Sequence, residues 1–587
     1  MGNEQISKLL RNIATAYTIK NEKKFRFQII AYQKASDTIK NLTSEIKEYY
    51  KEDRLDELSG IGTSIRGHLI ELFQKVRVKQ FEWALKDIPQ SVFVLIDVPG
   101  FGPKRAYKLV NEFNLTNPKT AIEDLEKIAE QGKIASLSGF GEKSQSDIIR
   151  SISEFRLGKG KTTKMILPYA LEIAEKIIEY LKTCRDVKKA EPLGSLRRKS
   201  PTVGDIDIAV ASYNPESVIS HFISYPHKER VMEKGDITAS MLVSGGRQVD
   251  LMVQPPESFG SLLQHFTGSK SHNIALREFA IKKGLSLSEY GIKSGRYKKI
   301  RKYDTEERFY DALEADWIPP EIRENTGEIE LAVSHKLPQL IELGDIKGDL
   351  HIHSSFPIEP SHDLGKNSIE EMLNKAKGLN YEYFGFSEHN PSISKHTNSQ
   401  VYALISKRNA EIEQIKLKTK SIRILKLLEV DILPSGKLAI DNKSLDVLDA
   451  VIVSVHSVFK MGKQDMTKRV ISGLSHKKAK ILAHPTGRML NERPGYELDF
   501  HKIFEFCVKN DKALEINCWP TRLDLPDILI QQAIQNNVKL IINTDSHSTS
   551  DMNLMKYGVS MARRGWAKKS DILNTLGYND FIKWLRG

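Results

Sequence analysis

The stretch GSLRRKSPTVGDIDIAV, Gly194 to Val210, decides how this chain is read. A small Gly-Ser turn suited to a phosphate precedes two arginines, and a short loop then leads to Asp205 and Asp207 in an otherwise apolar strand. Side chains alternate across a strand, so carboxylates two apart project from one face while Ile206 and Ile208 point to the other. Two acidic groups held side by side repel each other and lose hydration, and a shared cation relieves both costs. A second strand, RQVDLMV from Arg247 to Val253, sets Val249, Leu251 and Val253 on one face and Asp250 on the other. Three carboxylates on neighbouring strands hold two divalent ions about 4 Å apart, the clamp used for in-line displacement at phosphorus. The plain alternative is a solvated edge strand with surface aspartates. The upstream Gly-Ser and the downstream Asp250 weigh against it.

At 587 residues the chain exceeds what one core supports, so several domains are expected. Its 40% hydrophobic and 28% charged residues are ordinary for a soluble globular protein. A net charge of +13 and a pI near 9.2 point to a polyanionic partner. Cys184, Cys507 and Cys518 show neither paired metal-ligand spacing nor a disulfide framework, which fits a reducing cytosol. The start, MGNEQISKLL, has no apolar signal-peptide core, and no apolar run is long enough to cross a bilayer. A cytoplasmic protein with no membrane partner is expected.

Residues 1 to about 160 read as helical, with three breaks of one grammar: LSGIGTS with Gly60 and Gly62, VPGFGPK with Gly100 and Gly102, and LSGFGEK with Gly139 and Gly141. Paired glycines let the backbone approach a phosphate, and the amides at the following helix start face the anion. The pattern resembles the helix-hairpin-helix motif, which grips a DNA backbone without reading bases. From about 161 to 325, short strands alternate with helices around the carboxylates. The segment GEIELAVSHKLPQLIELGDIKGD then reads as a helix followed by a connector. Beyond residue 345, apolar runs each finish in a polar ligand type: KGDLHIH, EYFGFSEH, ILKLLEVD, AVIVSVH, KILAHP, ALEIN and LIINTDSH. Strand-helix repetition with chemistry at the strand ends is the mark of a parallel β/α barrel. His351, His353, Asp363, His389, Glu429, His456, His484, Asp545 and His547 are the ligand candidates, all but Asp363 at or just after an apolar run. Mixed imidazole and carboxylate ligation suits Mn²⁺, Zn²⁺ or Fe²⁺ better than Mg²⁺ alone, and such a centre hydrolyses phosphoesters.

The first 325 residues or so resemble the family X DNA polymerases, and the whole chain resembles the bacterial and archaeal members with a C-terminal PHP (polymerase and histidinol phosphatase) domain. The motifs are GSLRRK with GDID, VDL, SFGSLLQHFTGSKSHNIALREFAIKKGLSLSEYG, and the histidine-rich end. The resemblance implies a multidomain α/β protein: a helix-hairpin-helix DNA-binding domain at 1–85, fingers with further hairpins at 86–160, a nucleotidyltransferase palm at 161–255, a thumb at 256–325, a linker at 326–345, and a distorted (β/α)7 PHP metallohydrolase barrel at 346–587. It further implies that Asp205, Asp207 and Asp250 are catalytic and hold two Mg²⁺ or Mn²⁺ ions. Gly194, Ser195, Arg198 and Gly204 would meet the triphosphate, His265, Phe266 and Gly268 the sugar, Asn273 the base, and Arg277 the template. The barrel ligands would hold up to three ions, with Glu429 bridging two and Asp363, His389 and His547 about the third. Arg488 and Arg522 would contact nucleic-acid phosphate. The partners implied are gapped or nicked duplex DNA and deoxynucleoside triphosphates, handled by a monomer in a prokaryotic nucleoid.

The sequence departs from the family in places. His265 stands where a tyrosine often crowds a ribose 2′-hydroxyl. Gln248 and Met252 flank Asp250 where arginines are common, and neither can form the ion pair that gates metal binding. His68 falls where lyase-type members carry a Schiff-base lysine, and imidazole cannot form that imine. Short gap filling in repair joined to 3′-5′ exonuclease action, with abasic-site incision as an extension, is the function implied. The rival readings are a PHP nuclease whose polymerase half is an inactive DNA-binding platform, a non-enzymatic DNA scaffold, and a nucleotidyltransferase acting on RNA or small molecules.

Overall fold

The structure, a computed structural model, describes the chain apart from residues 41–45, 52, 54, 59–60, 76, 99–100, 157–163, 244–246 and 295–299. Gly60 and Gly100 therefore lie outside the described residues. Contacts divide the chain into two units. The first is Met1–Met165, Glu172–Tyr180 and Ile219–Leu251; the second is Ile166–Leu171, Leu181–Val218 and Met252–Gly587. Among the described residues no helix is long and apolar enough to cross a membrane.

The first unit opens with helices running from Asn3–Asn21 to Glu142–Arg156. Each buries an apolar stripe. In Pro103–Glu112, proline opens the helix, and Ala106, Leu109 and Val110 face the core. In Ala121–Glu130, Glu123 and Asp124 sit in the first turn, where the helix dipole favours acids, and Ala121, Leu125 and Ala129 are buried. The second glycine of every hairpin immediately precedes a helix: Gly62 before Thr63–Lys75, Gly102 before Pro103–Glu112, and Gly141 before Glu142–Arg156. The same unit holds the antiparallel strands Lys228–Lys234 and Thr238–Val243 and most of the strand Arg247–Gln254.

In the second unit the strand Lys189–Pro192 pairs antiparallel with Ile206–Ala211, Pro192 opposite Ile208. Ser212 N–H donates to the Gln254 carbonyl (2.9 Å), so the end of Arg247–Gln254 runs alongside. The expected alternation is present, with Ile206 and Ile208 fully buried and Asp207 half-buried. The strand begins one residue later than the sequence reading has it. Asp205 therefore stands in the exposed lead-in, and only Asp207 lies on the strand. Next come the helices Phe259–Thr267 and Lys270–Lys282, then the antiparallel strands Leu285–Ser288 and Gly291–Ser294, around a core of Leu276, Phe309, Tyr310 and Ile318. The expected helix before the connector is Glu328–Val333. Its buried Glu328 bonds His272 Nδ1 at 2.6 Å, which anchors it to the helix Lys270–Lys282.

The C-terminal region contains only parallel strand pairs. Gly348–Ile352, Tyr383–Phe386 and Arg423–Lys426 form one sheet. Glu429–Asp431, Val451–Ser454, Ala479–Leu482, Ala513–Asn517 and Lys539–Asn543 form a second. Isolated parallel bridges link the two, Ile352 to Ser546 and His389 to Glu429. Arg423–Lys426 and Glu429–Asp431 are one run broken by two residues. These apolar runs are buried on both faces, as parallel strands flanked by helices are.

Candidate functional site

Chain direction places the ligand candidates together. All strands of the C-terminal region run the same way, so residues at or just past their carboxyl ends gather at one rim. His351 and His353 leave the strand Gly348–Ile352. His389 follows Tyr383–Phe386, His456 follows Val451–Ser454, His484 follows Ala479–Leu482, and Asp545 and His547 follow Lys539–Asn543. His484 (φ 28°) and Asp545 (φ 57°) are non-glycine residues held at positive φ, a conformation that persists where surrounding structure enforces it.

Glu429 is the hub. Its Oε2 lies 2.9 Å from His389 Nδ1, 3.1 Å from His351 Nε2 and 3.7 Å from His353 Nε2. Its Oε1 lies 3.0 Å from His484 Nε2 and 3.3 Å from His456 Nε2. Asp545 Oδ1 is 3.3 Å from His353 Nε2 and 3.4 Å from His351 Nε2. The His547 ring stacks on His353 at 4.1 Å. Ligand atoms of His351, His353, Glu429 and Asp545 lie within 4.8 Å of one another, as do those of His353, His389 and His547, and of His389, Glu429 and His456.

Electrostatics set the protonation. Burial alone would raise Glu429, but His389, His351 and His456 hold it well below the carboxylate range, and Asp545 is held down likewise by His351 and His353. Burial, with His547 nearby, drives His353 well below its ordinary value, and burial carries His456 down to about 4. His351 goes the other way: against burial, Glu515, Asp545 and Glu429 raise it well above its ordinary value. Ionised carboxylates and ring nitrogens thus crowd one another about 3 Å apart, an arrangement that cations between them would relieve. Buried polar atoms without a hydrogen-bond partner make the same point: His351 Nε2, both ring nitrogens of His353, His389 Nδ1, Glu429 Oε2 and His547 Nε2. The donor set fits divalent transition ions.

One ligand expectation is corrected. Asp363 is exposed and, among the described residues, joins none of these groups, whereas His362 falls in a further one with Asp431 and His456. Ser361 N–H donates to the Asn390 carbonyl (2.8 Å), which lays this loop beside His389 and turns His362 to within 3.2 Å of both Asp431 oxygens. Arg488 is also placed differently. Its guanidinium donates to the Arg522 and Leu523 carbonyls and so braces the backbone, whereas Arg522 Nε lies 4.0 Å from Asp545 Oδ2.

The carboxylate strands are more open. Gly194 adopts φ +56°, and a Cβ there would lie 3.0 Å from Asp207 Oδ2, so the Gly-Ser turn rests directly on that carboxylate. Ser195 is half-buried, while Gly204 is exposed with no atom within 4 Å of a would-be Cβ. Asp250 is half-buried, and the Gln248 amide donates to both its oxygens at 3.0 and 3.1 Å. Gln248 thus engages the carboxylate by hydrogen bonds where an arginine would use charge. Arg198 donates to the Thr267 carbonyl and, through Nε, to Glu324 Oε1 (3.1 Å). Gly268, at φ +68°, would bring a Cβ to 3.0 Å from Arg198 Nη1. Phe266 meets His265 edge-on at 4.8 Å. Asn273 turns inward, donating to the His265 carbonyl (2.6 Å) and accepting from Gln264 (3.0 Å), while Arg277 is exposed. In the first unit, His68 stacks on Tyr32 and its Nδ1 lies 2.9 Å from the phenol oxygen.

Residues 262–324 match the DNA polymerase beta thumb model, and residues 1–78 match the helix-hairpin-helix domain model. The chain is 34% identical over 588 residues, covering 100% of both proteins, to the DNA polymerase/3′-5′ exonuclease PolX of Bacillus subtilis (strain 168). The chain belongs to the family X DNA polymerases. It is also 21% identical over 310 residues, 49% of each chain, to DNA polymerase lambda of Rattus norvegicus.

In this family X chain several residues escaped the sequence reading. Glu515 accepts from His351 Nδ1 (2.7 Å) and from the His484 N–H (2.8 Å), which aims His351 Nε2 at the centre. Asp431 does the same for His456 Nδ1 (2.7 Å). Both sit in quoted runs, ALEIN and LEVD, Asp431 two residues after Glu429 and on its face. Glu306 is a further omission. Arg197 grips it with two bonds (2.9 and 2.7 Å), Arg323 adds one of 2.6 Å, and Trp317 donates at 3.1 Å.

Proposed function

We propose that this chain fills short gaps in duplex DNA from deoxynucleoside triphosphates and trims 3′ ends at its C-terminal centre. The observation that carries the second half is Glu429, whose two oxygens are framed by five imidazoles. The parallel strands of residues 348–543 form the PHP-type barrel in this reading. His351, His353, Glu429 and Asp545 would hold one ion there, Glu429, His456 and His484 a second, and His389 and His547 with His353 a third. Mn²⁺, Zn²⁺ or Fe²⁺ bound there supplies Lewis acidity and a nucleophile at neutral pH. Glu515 and Asp431 orient the imidazoles, and the buried rim limits water.

For synthesis, Asp205, Asp207 and Asp250 hold two Mg²⁺ or Mn²⁺ ions, which offset charge at the reacting phosphorus. Ser195 and Arg198 take the triphosphate, and the Phe266–Gly268 backbone supports the sugar. Gly62, Gly102, Gly139, Gly141 and Arg277 meet the DNA; no atom lies within 4 Å of a would-be Cβ at any of the four glycines, which leaves room for a phosphate. The test is a labelled primer on a gapped template with Mg²⁺ or Mn²⁺, with and without nucleotides. Extension with nucleotides and shortening without them are expected. A primer that shortens but never extends would remove the synthetic half.

A further inference from the structure

We infer that Arg564, the last residue of the helix Met555–Arg564, is a positioning residue for synthesis: it keeps Glu324 paired, so that Arg198 is free to pass to an incoming triphosphate. This rests on the reading of Arg198 as a triphosphate ligand. Glu324 Oε1 lies 3.1 Å from Arg198 Nε and 3.1 Å from Arg564 Nη1, so two guanidiniums share one carboxylate oxygen. Arg564 is only 7% exposed, and its remaining contacts fix it. Nε and Nη2 donate to Asp527 Oδ2 at 2.8 and 2.5 Å, and Nη1 donates to the Arg198 carbonyl at 2.8 Å. The adjacent Arg563 grips the same segment through Glu321 (2.8 Å) and the Ile341 carbonyl (2.9 Å).

The two cations differ in freedom. Arg564 is held by Asp527 and cannot follow its neighbour, whereas Arg198 has the carboxylate and one carbonyl to give up. A triphosphate that takes Arg198 competes directly with Glu324 for that cation. Without Arg564, the departure of Arg198 would leave the partly buried Glu324 carboxylate unpaired, so Glu324 would hold Arg198 more tightly. With Arg564 in place, Glu324 remains neutralised and its hold on Arg198 is weaker from the start. A barrel helix thereby sets how readily the nucleotide is accepted.

Nucleotide KM and kcat for gap filling, measured beside 3′ shortening on the full chain, test this. Arg564→Ala is expected to raise KM about tenfold, with kcat within about twofold and shortening unchanged. Adding Glu324→Gln to Arg564→Ala returns KM to the wild-type value or below, a rescue that a merely structural role would not give. Glu324→Gln alone lowers KM, which keeps the inference testable should Arg564→Ala fold poorly. An unchanged KM in Arg564→Ala, or a raised KM that Glu324→Gln fails to restore, overturns the assignment. Arg198→Ala separates the two readings. If it leaves KM untouched, the triphosphate reading has failed; if it raises KM while Arg564→Ala does not, only the role of Arg564 has.

Discussion

The surroundings of Glu429 and of Asp207 are built in opposite ways. Around Glu429 the ligand atoms are sunk in the molecule, the side chain 1% exposed; strand ends set the imidazoles, and Glu515 and Asp431 brace His351 and His456. Around Asp207 the geometry is half open, with Asp205 in the solvent-facing lead-in and Arg198 engaged with Glu324. Under the proposed function, a hydrolytic centre at Glu429 profits from complete preorganisation, and a synthetic site at Asp207 is left for a nucleotide that brings its own triphosphate and ions to finish. Separate construction implies that the two are separable by single substitutions.

The largest expected effect tests that separation. Asp207→Ala should abolish primer extension by on the order of 10³-fold or more, the cost of losing several kcal/mol of charge stabilisation, and leave shortening intact. His353→Ala should do the converse. If either variant loses both reactions in the gapped-primer assay, with its fold intact by circular dichroism, the two clusters are not independent.

Next in size is an acid-stability difference. Burial by itself would raise Glu306, but Arg323 and Arg197 outweigh it and bring the carboxyl down to about 2, from an ordinary 4.5. A depressed folded-state value stabilises the protein above the unfolded value, and that stabilisation is lost as pH falls from about 4.5 toward 2. The shift corresponds to about 3 kcal/mol. Scanning calorimetry from pH 6 to 3 should show the wild type losing about 2 kcal/mol of this, the part that falls between pH 4.5 and 3. Glu306→Gln, weaker at neutral pH because two arginines lose their shared carboxylate, should be flatter by about that amount. Equal slopes would show that Glu306 does not clamp the Gly-Ser turn to the thumb.

Third comes the closed centre itself. Glu515→Gln keeps the shape but presents an amide where His351 Nδ1, the His484 N–H and the Asn517 and Asn543 side chains all donate. Metal affinity should fall about 10- to 100-fold, read by competition with a chelating dye, while extension is unaffected. Unchanged affinity would mean that the imidazoles need no support, and the contrast in preorganisation would be lost.

What the sequence disclosed follows the range of the interactions. Period-two alternation around Asp207 and Asp250, and polar residues at strand ends, are local patterns; the structure contains those strands and gathers eight of the nine C-terminal candidates together. Glu515 and Asp431 lay inside recognised runs, yet a supporting carboxylate and a solvated one look alike in a linear pattern. His362 takes the place expected of its neighbour Asp363 because the loop backbone, tied by Ser361 N–H to the Asn390 carbonyl, turns His362 inward, and loop register has no periodic signature. The clamp on Glu306 joins residues 109 apart and could be seen only once the helices were packed. Arg564 and Arg198, 366 positions apart, are further still beyond reach.

The smallest expected effect carries the comparison into the helical unit, where glycines rather than carboxylates are left open. No atom lies within 4 Å of a would-be Cβ at Gly62, Gly102 or Gly141, whereas at Gly260 a Cβ would run into the Thr305 backbone. Gly260→Ala should therefore destabilise through overpacking, by about 1–3 kcal/mol, with no specific effect on DNA. Gly62→Ala should change stability by no more than about 0.5 kcal/mol. A methyl group there would nonetheless hold a phosphate off the amides at the start of Thr63–Lys75. Affinity for gapped duplex should fall about fivefold, the worth of one net hydrogen bond near 1 kcal/mol. Fluorescence anisotropy at fixed salt reads the difference, since binding of this kind weakens steeply as salt rises. If Gly62→Ala binds as tightly as the wild type across a salt titration, the first hairpin does not touch the backbone, and its open glycine is only a turn.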